Sequence, residues 1–301
     1  MKIKSGICGL VVGDALGVPV EFESREYLKE NPVTEMMGHG TYDQPKGTWS
    51  DDTSLTLATM QSIINKNEID LKDIMNEFCL YVRESKYCQY KVFDYGNTTI
   101  ESIMRFESGY SVLECGGKGD RDNGNGSLMR ILPLAYIPAI TYEDIENVSA
   151  LTHAHPKSKI ACVLYVEIAK SMLNNDLEIS EHIANSCEKI HECYKDSEYL
   201  TDFEAIFEMD FDVHEGRSYV IKTLEAALYC LLETTNYKDA VLKAVNLGRD
   251  TDTVAAVTGG LAGIYYGYYD IPSEWIRDIP QMGFVFGICD DFETFCLERE
   301  I

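Results

Sequence analysis

Two pairs of aspartates occur where the chain is expected to begin a helix. Asp51 and Asp52 follow Ser50, a residue type suited to an N-cap, and precede the apolar segment TSLTLA. Asp250 and Asp252 occur in the same way before a glycine- and alanine-rich apolar segment. Acidic residues in the first turn of a helix complement its dipole, and this structural explanation stays open for both pairs.

A chemical explanation also fits the two pairs, because carboxylates close together in a protein interior take up protons unless a cation neutralises them. The hydroxyl groups of Ser50 and Thr253 lie next to the aspartates in the sequence. Such all-oxygen ligands suit Mg²⁺, Mn²⁺ or Ca²⁺ and disfavour zinc or copper. The residues therefore predict a site for hard divalent cations, with enough ligands for two ions.

The elements that must position these residues are helices. Apolar residues recur at three- and four-residue spacing in several segments, and we find no series of alternating strands. The predicted helices are 52–66, 71–84, 158–173, 218–232 and 251–267. With eight prolines and no linker rich in serine or glycine, the sequence predicts one compact all-α domain over residues 1–301.

Glycine recurs at every fourth position in two of the helices. The positions are Gly9, Gly13 and Gly17 in the first helix and Gly259, Gly263 and Gly267 in the last long one. A glycine inside a helix costs about 1 kcal/mol relative to alanine, so three in register require a compensating contact. A smooth stripe lets another backbone approach closely. We therefore expect these helices to be central and tightly packed.

Composition excludes several classes of protein. The chain has 301 residues, 45% hydrophobic and 25% charged, as ordinary globular proteins do. Its net charge of -24 repels nucleic acid and anionic membrane surfaces, so we expect neither as a partner. Asp14 interrupts the apolar N-terminal stretch, which indicates a folded helix, and no run is expected to reach the length of a membrane span. Ten scattered cysteines are typical of thiols in a reducing cytoplasm.

Six short motifs occur in an order that is specific as a set. They are GDALGVPVEF (13–22), WSDDTS (49–54), FDYGNTT (93–99), GNGSLMR (124–130), THAHP (152–156) and GRDTDTVAAVTGGLAG (248–263). In order and spacing they resemble the ADP-ribosylglycohydrolase family from residue 6 to about residue 267. The motif FDYGNTT makes the chain similar to the bacterial branch typified by the dinitrogenase-reductase-activating glycohydrolase.

The resemblance implies a compact all-α fold with two Mg²⁺ or Mn²⁺ ions at the base of a cleft. The metal ligands that it implies are Ser50, Asp51, Asp52, Asp250, Asp252 and Thr253. The first of these positions is often threonine in the family, and Ser50 keeps the hydroxyl group.

The resemblance also implies catalytic and substrate-binding residues. Glu21 falls on a mobile glutamate that covers the metal site in the family. Asp94 falls on an aspartate proposed to assist proton transfer, although a turn or cap role stays open for it. The residues implied for contacts with ADP-ribose are Asn125, Gly126, Ser127 and His153. Two roles stay open for Arg130, a phosphate contact or a brace for an acidic core partner, and His155 is either structural or a substrate contact.

The implied function is metal-dependent hydrolysis of the glycosidic bond between ADP-ribose and a modified acceptor, with ADP-ribosyl-arginine on a protein favoured. The same chemistry on ADP-ribosyl-serine or O-acetyl-ADP-ribose is an alternative. A non-catalytic, crystallin-like protein that binds ADP-ribose and a metal-dependent nucleotide phosphoesterase are two more. Because all four aspartates occur together with Glu21 and Asp94, the sequence favours an enzyme. The oligomeric state stays open.

Three further expectations concern the remaining residues. Residues 185–215 are expected to form an exposed helical insertion. Asp290 and Asp291 are expected to mark a helix start. The surface histidines are expected to be His39, His182, His191 and His214.

Overall fold

The computed structural model describes residues 2–299, and this part of the chain is all-α, with isolated β-bridges but no strand. Residues 1, 300 and 301 of the predicted domain lie outside the described residues. The α-helices are α1 (Lys2–Gly17), α2 (Arg25–Glu30), α3 (Asp51–Lys66), α4 (Leu71–Glu84), α5 (Asn97–Glu107), α6 (Tyr142–Ala150), α7 (Pro156–Asn174), α8 (Ile179–Cys193), α9 (Glu204–Phe207), α10 (Val220–Leu232), α11 (Tyr237–Val245), α12 (Thr251–Tyr266), α13 (Ser273–Asp278) and α14 (Met282–Leu297). Short 3-10 helices lie at Val18–Val20, Gly40–Tyr42, Val112–Glu114, Asp120–Asp122, Leu128–Arg130, Leu132–Tyr136, Leu200–Phe203 and Tyr268–Asp270.

All five helices predicted from periodicity are present, as α3, α4, α7, α10 and α12. Their observed ends lie within about two residues of the predicted ends, which is the usual uncertainty of a helix boundary. Ser50 caps α3 as expected, because its side chain accepts a hydrogen bond from the backbone N–H of Asp52. The buried residues of these helices pack together in one apolar core.

The central contact of the fold is the packing of α1 against α12. A Cβ atom added to Gly9 would lie 2.2 Å from the carbonyl oxygen of Gly259, and one added to Gly13 would lie 2.1 Å from that of Ala255. The expected close approach of two backbones is therefore confirmed. The inclusion of Gly267 in the stripe was wrong: it follows the last residue of α12 with φ of 87°, and its added Cβ would meet nothing within 4 Å.

The stretch Lys2–Val20 has 19 residues, and 18 of them together have a mean hydropathy of 1.5, which is enough by length and composition to cross a membrane. The expectation that no run reaches that length was therefore wrong. In the structure, 94% of those 18 residues are buried within the protein. A helix that is apolar all round is equally the form of a helix enclosed by a protein core, as α1 is here.

Two segments differ from the sequence expectation. Residues 185–215 are not an exposed insertion throughout, because they include the second half of α8 and α9 and bury Leu200, Phe203 and Ile206 in the core. Asp290 and Asp291 lie inside α14 and not at its start, since that helix begins eight residues earlier at Met282.

The predicted surface position is correct for three histidines and wrong for one. His39, His191 and His214 are exposed. His182 is buried, and its Nδ1 lies 2.8 Å from the hydroxyl oxygen of Ser171. A hydrogen-bond partner on the neighbouring helix α7 allows this imidazole to leave water.

Candidate active site

The two aspartate pairs meet because both of their helices begin beside the end of α1. A Cβ atom on Gly17 would lie 2.3 Å from the backbone nitrogen of Asp252, so the first turn of α12 lies directly against the last turn of α1. The hydroxyl of Thr251 donates a hydrogen bond of 2.8 Å to the carbonyl oxygen of Gly17. The glycine at this position therefore sets where Asp252 lies.

Asp14, one turn earlier on α1, holds the start of α3. Its carboxylate accepts hydrogen bonds from the backbone N–H of Ser50 at 2.9 Å, the backbone N–H of Thr53 at 3.0 Å and the hydroxyl of Thr53 at 2.6 Å. Burial raises the pKa of Asp14 to about 6, and these hydrogen bonds act in the opposite direction. Asp14 was not predicted to belong to the site. The feature of the sequence that could have indicated it is an acidic residue within an apolar helix.

Hydroxyl and amide groups join the two predicted ligand clusters into one site. Oδ2 of Asp52 accepts hydrogen bonds from Ser50 Oγ at 3.1 Å and from Thr253 Oγ1 at 3.3 Å. Asn125 Nδ2 donates a hydrogen bond of 3.0 Å to Oδ2 of Asp250. The structure thus brings together all the predicted metal ligands, which are buried: Ser50, Asp51, Asp52, Asp250, Asp252 and Thr253.

Glu21 and Asp94 border the same cluster. Carboxylate oxygens of Glu21, Asp94 and Asp252 all lie within 4.8 Å of one another. Burial is the main reason why the pKa of Glu21 rises to about 9, and the charge of Asp94 adds to the rise. Burial also raises the pKa of Asp94. Both residues predicted to be catalytic therefore lie where a proton is held more tightly than in water.

The residues of the cluster fit hard divalent cations. Three buried oxygens in it have no hydrogen-bond partner: Oε2 of Glu21, Oδ1 of Asp52 and Oδ1 of Asp250. Within residues 2–299, none of its carboxylates forms an ion pair with a lysine, arginine or histidine. Burial raises the pKa of Asp51, Asp52 and Asp252 well above the ordinary value. Carboxylate oxygens are ligands that Mg²⁺ and Mn²⁺ prefer.

A cleft of about 420 Å³ leads to the cluster. Three of the four residues predicted to bind substrate line it, namely Asn125, Gly126 and His153. Ser127 lies behind the wall of the cleft, where its hydroxyl accepts a hydrogen bond from Ser149 at 2.9 Å. A larger cavity, of about 560 Å³, lies near Lys2, and the described residues that line it include no group of carboxylates.

A second cavity, of about 400 Å³, adjoins the first. Glu21, Phe22, Ser218 and Asp250 line both, so the carboxylate cluster lies where the two spaces meet. The far wall of the second cavity carries Glu215, whose carboxylate is bonded to the side chain of Arg249 at 3.1 Å. A ligand with two parts on either side of a reacting bond fits this arrangement.

Tyr42 is a site residue that the sequence analysis missed. Its hydroxyl, a hydrogen-bond donor, lies near the carboxylates of Glu21 and Asp94 and lowers the pKa of each against the effect of burial. Its ring lies against that of Phe93, with centroids 4.9 Å apart. The neighbouring Thr41 donates a hydrogen bond of 2.6 Å to the backbone oxygen of Glu21. No sequence pattern connects the 3-10 helix Gly40–Tyr42 with these acids, because only the fold brings them together.

The roles left open for His155 and Arg130 are now defined. His155 caps α7, because its Nδ1 accepts a hydrogen bond of 3.2 Å from the backbone N–H of Lys157. Arg130 is fully buried behind the cleft and braces the core. It has no acidic partner among residues 2–299, and its guanidinium is bonded to Thr152 and to the backbone oxygen of Val148.

Comparison with known proteins gives a consistent result. A sequence model of the ADP-ribosylglycohydrolase family matches residues 1–299. The chain is 30% identical to an ADP-ribosylarginine hydrolase, Tri1, of Serratia proteamaculans, over 93% of this chain and 75% of that protein. It is also 30% identical to an ADP-ribosyl-[dinitrogen reductase] glycohydrolase of Rhodospirillum rubrum, over 90% of this chain and 87% of that protein. A solved structure titled "ADP-ribosylglycohydrolase-related protein complex" superposes with a TM-score of 0.84 at 26% identity, covering 98% of each chain.

Proposed function

The chain belongs to the ADP-ribosylglycohydrolase family, and we propose that it hydrolyses the bond between ADP-ribose and an arginine side chain of a modified protein. The observation that carries this proposal is the buried carboxylate cluster, with unpaired oxygens, at the meeting point of two cavities. The arginine linkage is supported by the similarity to an ADP-ribosylarginine hydrolase, Tri1 of Serratia proteamaculans.

We assign the ADP-ribose part of the substrate to the first cavity. Gly124 and Gly126 lie in its wall, where glycine lets the backbone approach a ligand closely. Asn125 and His153 add polar side chains to the same wall. This wall can bind a pyrophosphate without a surface of lysines, which suits a protein with a net charge of -24.

We assign the acceptor to the second cavity. If ADP-ribose fills the first cavity up to the carboxylate cluster, its anomeric carbon lies where the two cavities meet. The group that leaves that carbon then extends past Phe22 towards Glu215 and Arg249. Glu215 in this cavity is ion-paired with Arg217 and Arg249, so the charges of the wall do not by themselves select the acceptor, and the arginine linkage rests on the similarity to the ADP-ribosylarginine hydrolase.

The reaction is displacement at the anomeric carbon through an oxocarbenium-like transition state. Six residues would hold two Mg²⁺ or Mn²⁺ ions, which when bound supply positive charge that orients ribose hydroxyls and acidifies water: Ser50, Asp51, Asp52, Asp250, Asp252 and Thr253. Glu21 and Asp94 would move the protons, one taken from water and one given to the departing nitrogen. The Tyr42 hydroxyl lies near both carboxylates and favours their ionised forms.

The test is incubation of the purified protein with ADP-ribosyl-arginine protein, in Mg²⁺ or Mn²⁺ and then in EDTA, with the released product identified by mass. We expect metal-dependent release of intact ADP-ribose. Release of AMP would instead indicate phosphoester hydrolysis. Release only from an ADP-ribosyl-serine or O-acetyl-ADP-ribose substrate would refute the arginine linkage, and no release from any of them would refute the enzyme.

A matched pair of variants links the activity to the cluster. Asp252→Asn removes one carboxylate from the cluster and is expected to abolish turnover. Asp291→Asn removes an exposed carboxylate of α14 and is expected to keep full turnover. Both proteins should keep the helical circular dichroism of the parent protein. Full activity in Asp252→Asn would contradict the assignment of this residue.

A further inference from the structure

We propose that Arg130 and Thr152 are positioning residues that hold a neutral His153 in a single tautomer, with the Nε2–H group presented to the substrate cleft. The inference deepens the proposed function, because the group that receives this hydrogen bond would be a phosphate oxygen of the ADP-ribose moiety.

Three side chains form a hydrogen-bonded series that runs from the core to the cleft. Nη2 of Arg130 donates a hydrogen bond of 2.8 Å to Oγ1 of Thr152. The same oxygen lies 2.8 Å from Nδ1 of His153. All three residues are buried, and only His153 lines the cleft.

The direction of these hydrogen bonds follows from the chemistry of the groups. A guanidinium donates only, so the Thr152 oxygen must be the acceptor from Arg130. Among residues 2–299 the one other side-chain partner of that hydroxyl is Nδ1 of His153, so the hydroxyl proton points to Nδ1. Nδ1 is therefore the unprotonated nitrogen of the ring, and the proton of the neutral imidazole is on Nε2.

The Nε2 side of the ring faces the glycine-rich wall of the cleft. Cβ atoms added to Gly124 and Gly126 would lie 3.4 Å and 3.3 Å from Nε2. Because both positions are glycine, no side chain covers this nitrogen from that wall. An N–H at this place attracts an anionic oxygen, whereas the lone pair of the other tautomer would repel it.

Burial, together with the nearby Arg130, explains why the imidazole stays neutral. Burial lowers the pKa of His153 to about 3, and the nearby Arg130 charge lowers it further. The guanidinium lies 4.5 Å from the ring centroid of Phe78, and no carboxylate neutralises it among residues 2–299. A buried cation thus lies behind the histidine and adds positive potential on the side of the cleft where an anion is expected.

Hydrogen bonds to the backbone fix the position of Thr152. The carbonyl oxygen of Thr152 accepts hydrogen bonds from the backbone N–H of Gly117 at 2.9 Å and from the hydroxyl of Ser102 at 3.1 Å. These bonds fix the backbone of Thr152, whose hydroxyl lies between Arg130 and His153.

The test is ¹⁵N NMR of the histidine rings in the full-length protein at pH 7.5, together with calorimetric binding of ADP-ribose. In the parent protein we expect His153 as the neutral Nε2–H tautomer. Thr152→Val removes the hydroxyl at nearly constant shape. It should give a mixture of tautomers or the Nδ1–H form, and bind ADP-ribose about 10-fold more weakly, as the loss of one oriented hydrogen bond predicts. Thr152→Ser keeps the hydroxyl and should restore both properties.

The chain offers a matched control in Ser171→Ala, which removes the hydroxyl beside the buried His182 near the C-terminal end of α7, whereas His153 precedes the N-terminal end of that helix. This variant should leave the tautomer of His153 and the binding of ADP-ribose unchanged. An Nδ1–H tautomer of His153 in the parent protein would overturn the proposal even if no variant folded. An unchanged Nε2–H tautomer in folded Thr152→Val would also overturn it. If the tautomers behave as expected but ADP-ribose does not bind, the positioning role is supported and the proposed function alone fails.

Discussion

Replacement of Asp14 by alanine is expected to destabilise the protein strongly, because this carboxylate ties α1 to the first turn of α3. In Asp14→Ala, the N–H of Ser50 and both the N–H and the hydroxyl of Thr53 lose their acceptor. The site is closed to solvent, so water does not replace the carboxylate without a change in packing.

The expected magnitude follows from these three donors. A buried donor without a partner costs about 1–3 kcal/mol, which gives about 3–9 kcal/mol for three independent groups. The hydroxyl of Thr53 is able to rotate, and loss of Asp14 relieves repulsion that raises the pKa of Asp51 and Asp52. Both effects reduce the loss, and we expect the free energy of unfolding to fall by about 3–5 kcal/mol.

The assay is urea unfolding followed by circular dichroism at pH 8 in EDTA, a pH at which Asp14 is ionised in the folded protein. Thr59→Val in α3 is the matched control, because its hydroxyl is bonded only within the helix, to the carbonyl oxygen of Leu55. The control should change the free energy of unfolding by less than about 1 kcal/mol.

The milder Asp14→Asn keeps one oxygen acceptor and should lose about 1–3 kcal/mol. It decides the question if Asp14→Ala does not fold. A loss no larger than that of the Thr59→Val control, in whichever variant folds, would refute the reasoning.

Three further predictions test the cluster and the helix contact. Burial raises the pKa of Glu21 from 4.5 to about 9, so between these pH values the folded protein keeps a proton that the unfolded chain releases. The melting temperature in EDTA should therefore fall as pH rises from 5 to 9, and a constant melting temperature would contradict this. Gly13→Ala places Cβ 2.1 Å from the Ala255 carbonyl oxygen and should lower the free energy of unfolding in urea by about 2–3 kcal/mol. The Cβ of Gly287→Ala in α14 meets nothing within 4 Å, so this control should be neutral or stabilising by up to about 1 kcal/mol. Equal effects of the two variants would refute the packing argument. Asp252→Asn should weaken Mn²⁺ binding in calorimetry by about 10-fold or more, and an unchanged affinity would remove it from the ligand set.

Sequence reasoning was most reliable where the signal is local. The spacing of apolar residues predicted α3, α4, α7, α10 and α12, because a helix buries one face and that face repeats with the helical period. The same argument failed for Asp290 and Asp291. An acidic pair marks a helix start only when the chain before it is not already helical, and α14 begins earlier at Met282.

The sequence by itself determined the all-α class, the two glycine helices, the chemistry of the carboxylates and the order of motifs that identifies the family. Each of these depends on residue type and on spacing along the chain. The tertiary structure alone decided which groups meet: Asp14 with the start of α3, Tyr42 with the two candidate acids, and Arg130 with the histidine of the cleft. The physical reason is that a hydrogen bond depends on distance in space, and these partners are separated in the sequence by segments whose packing no local pattern describes.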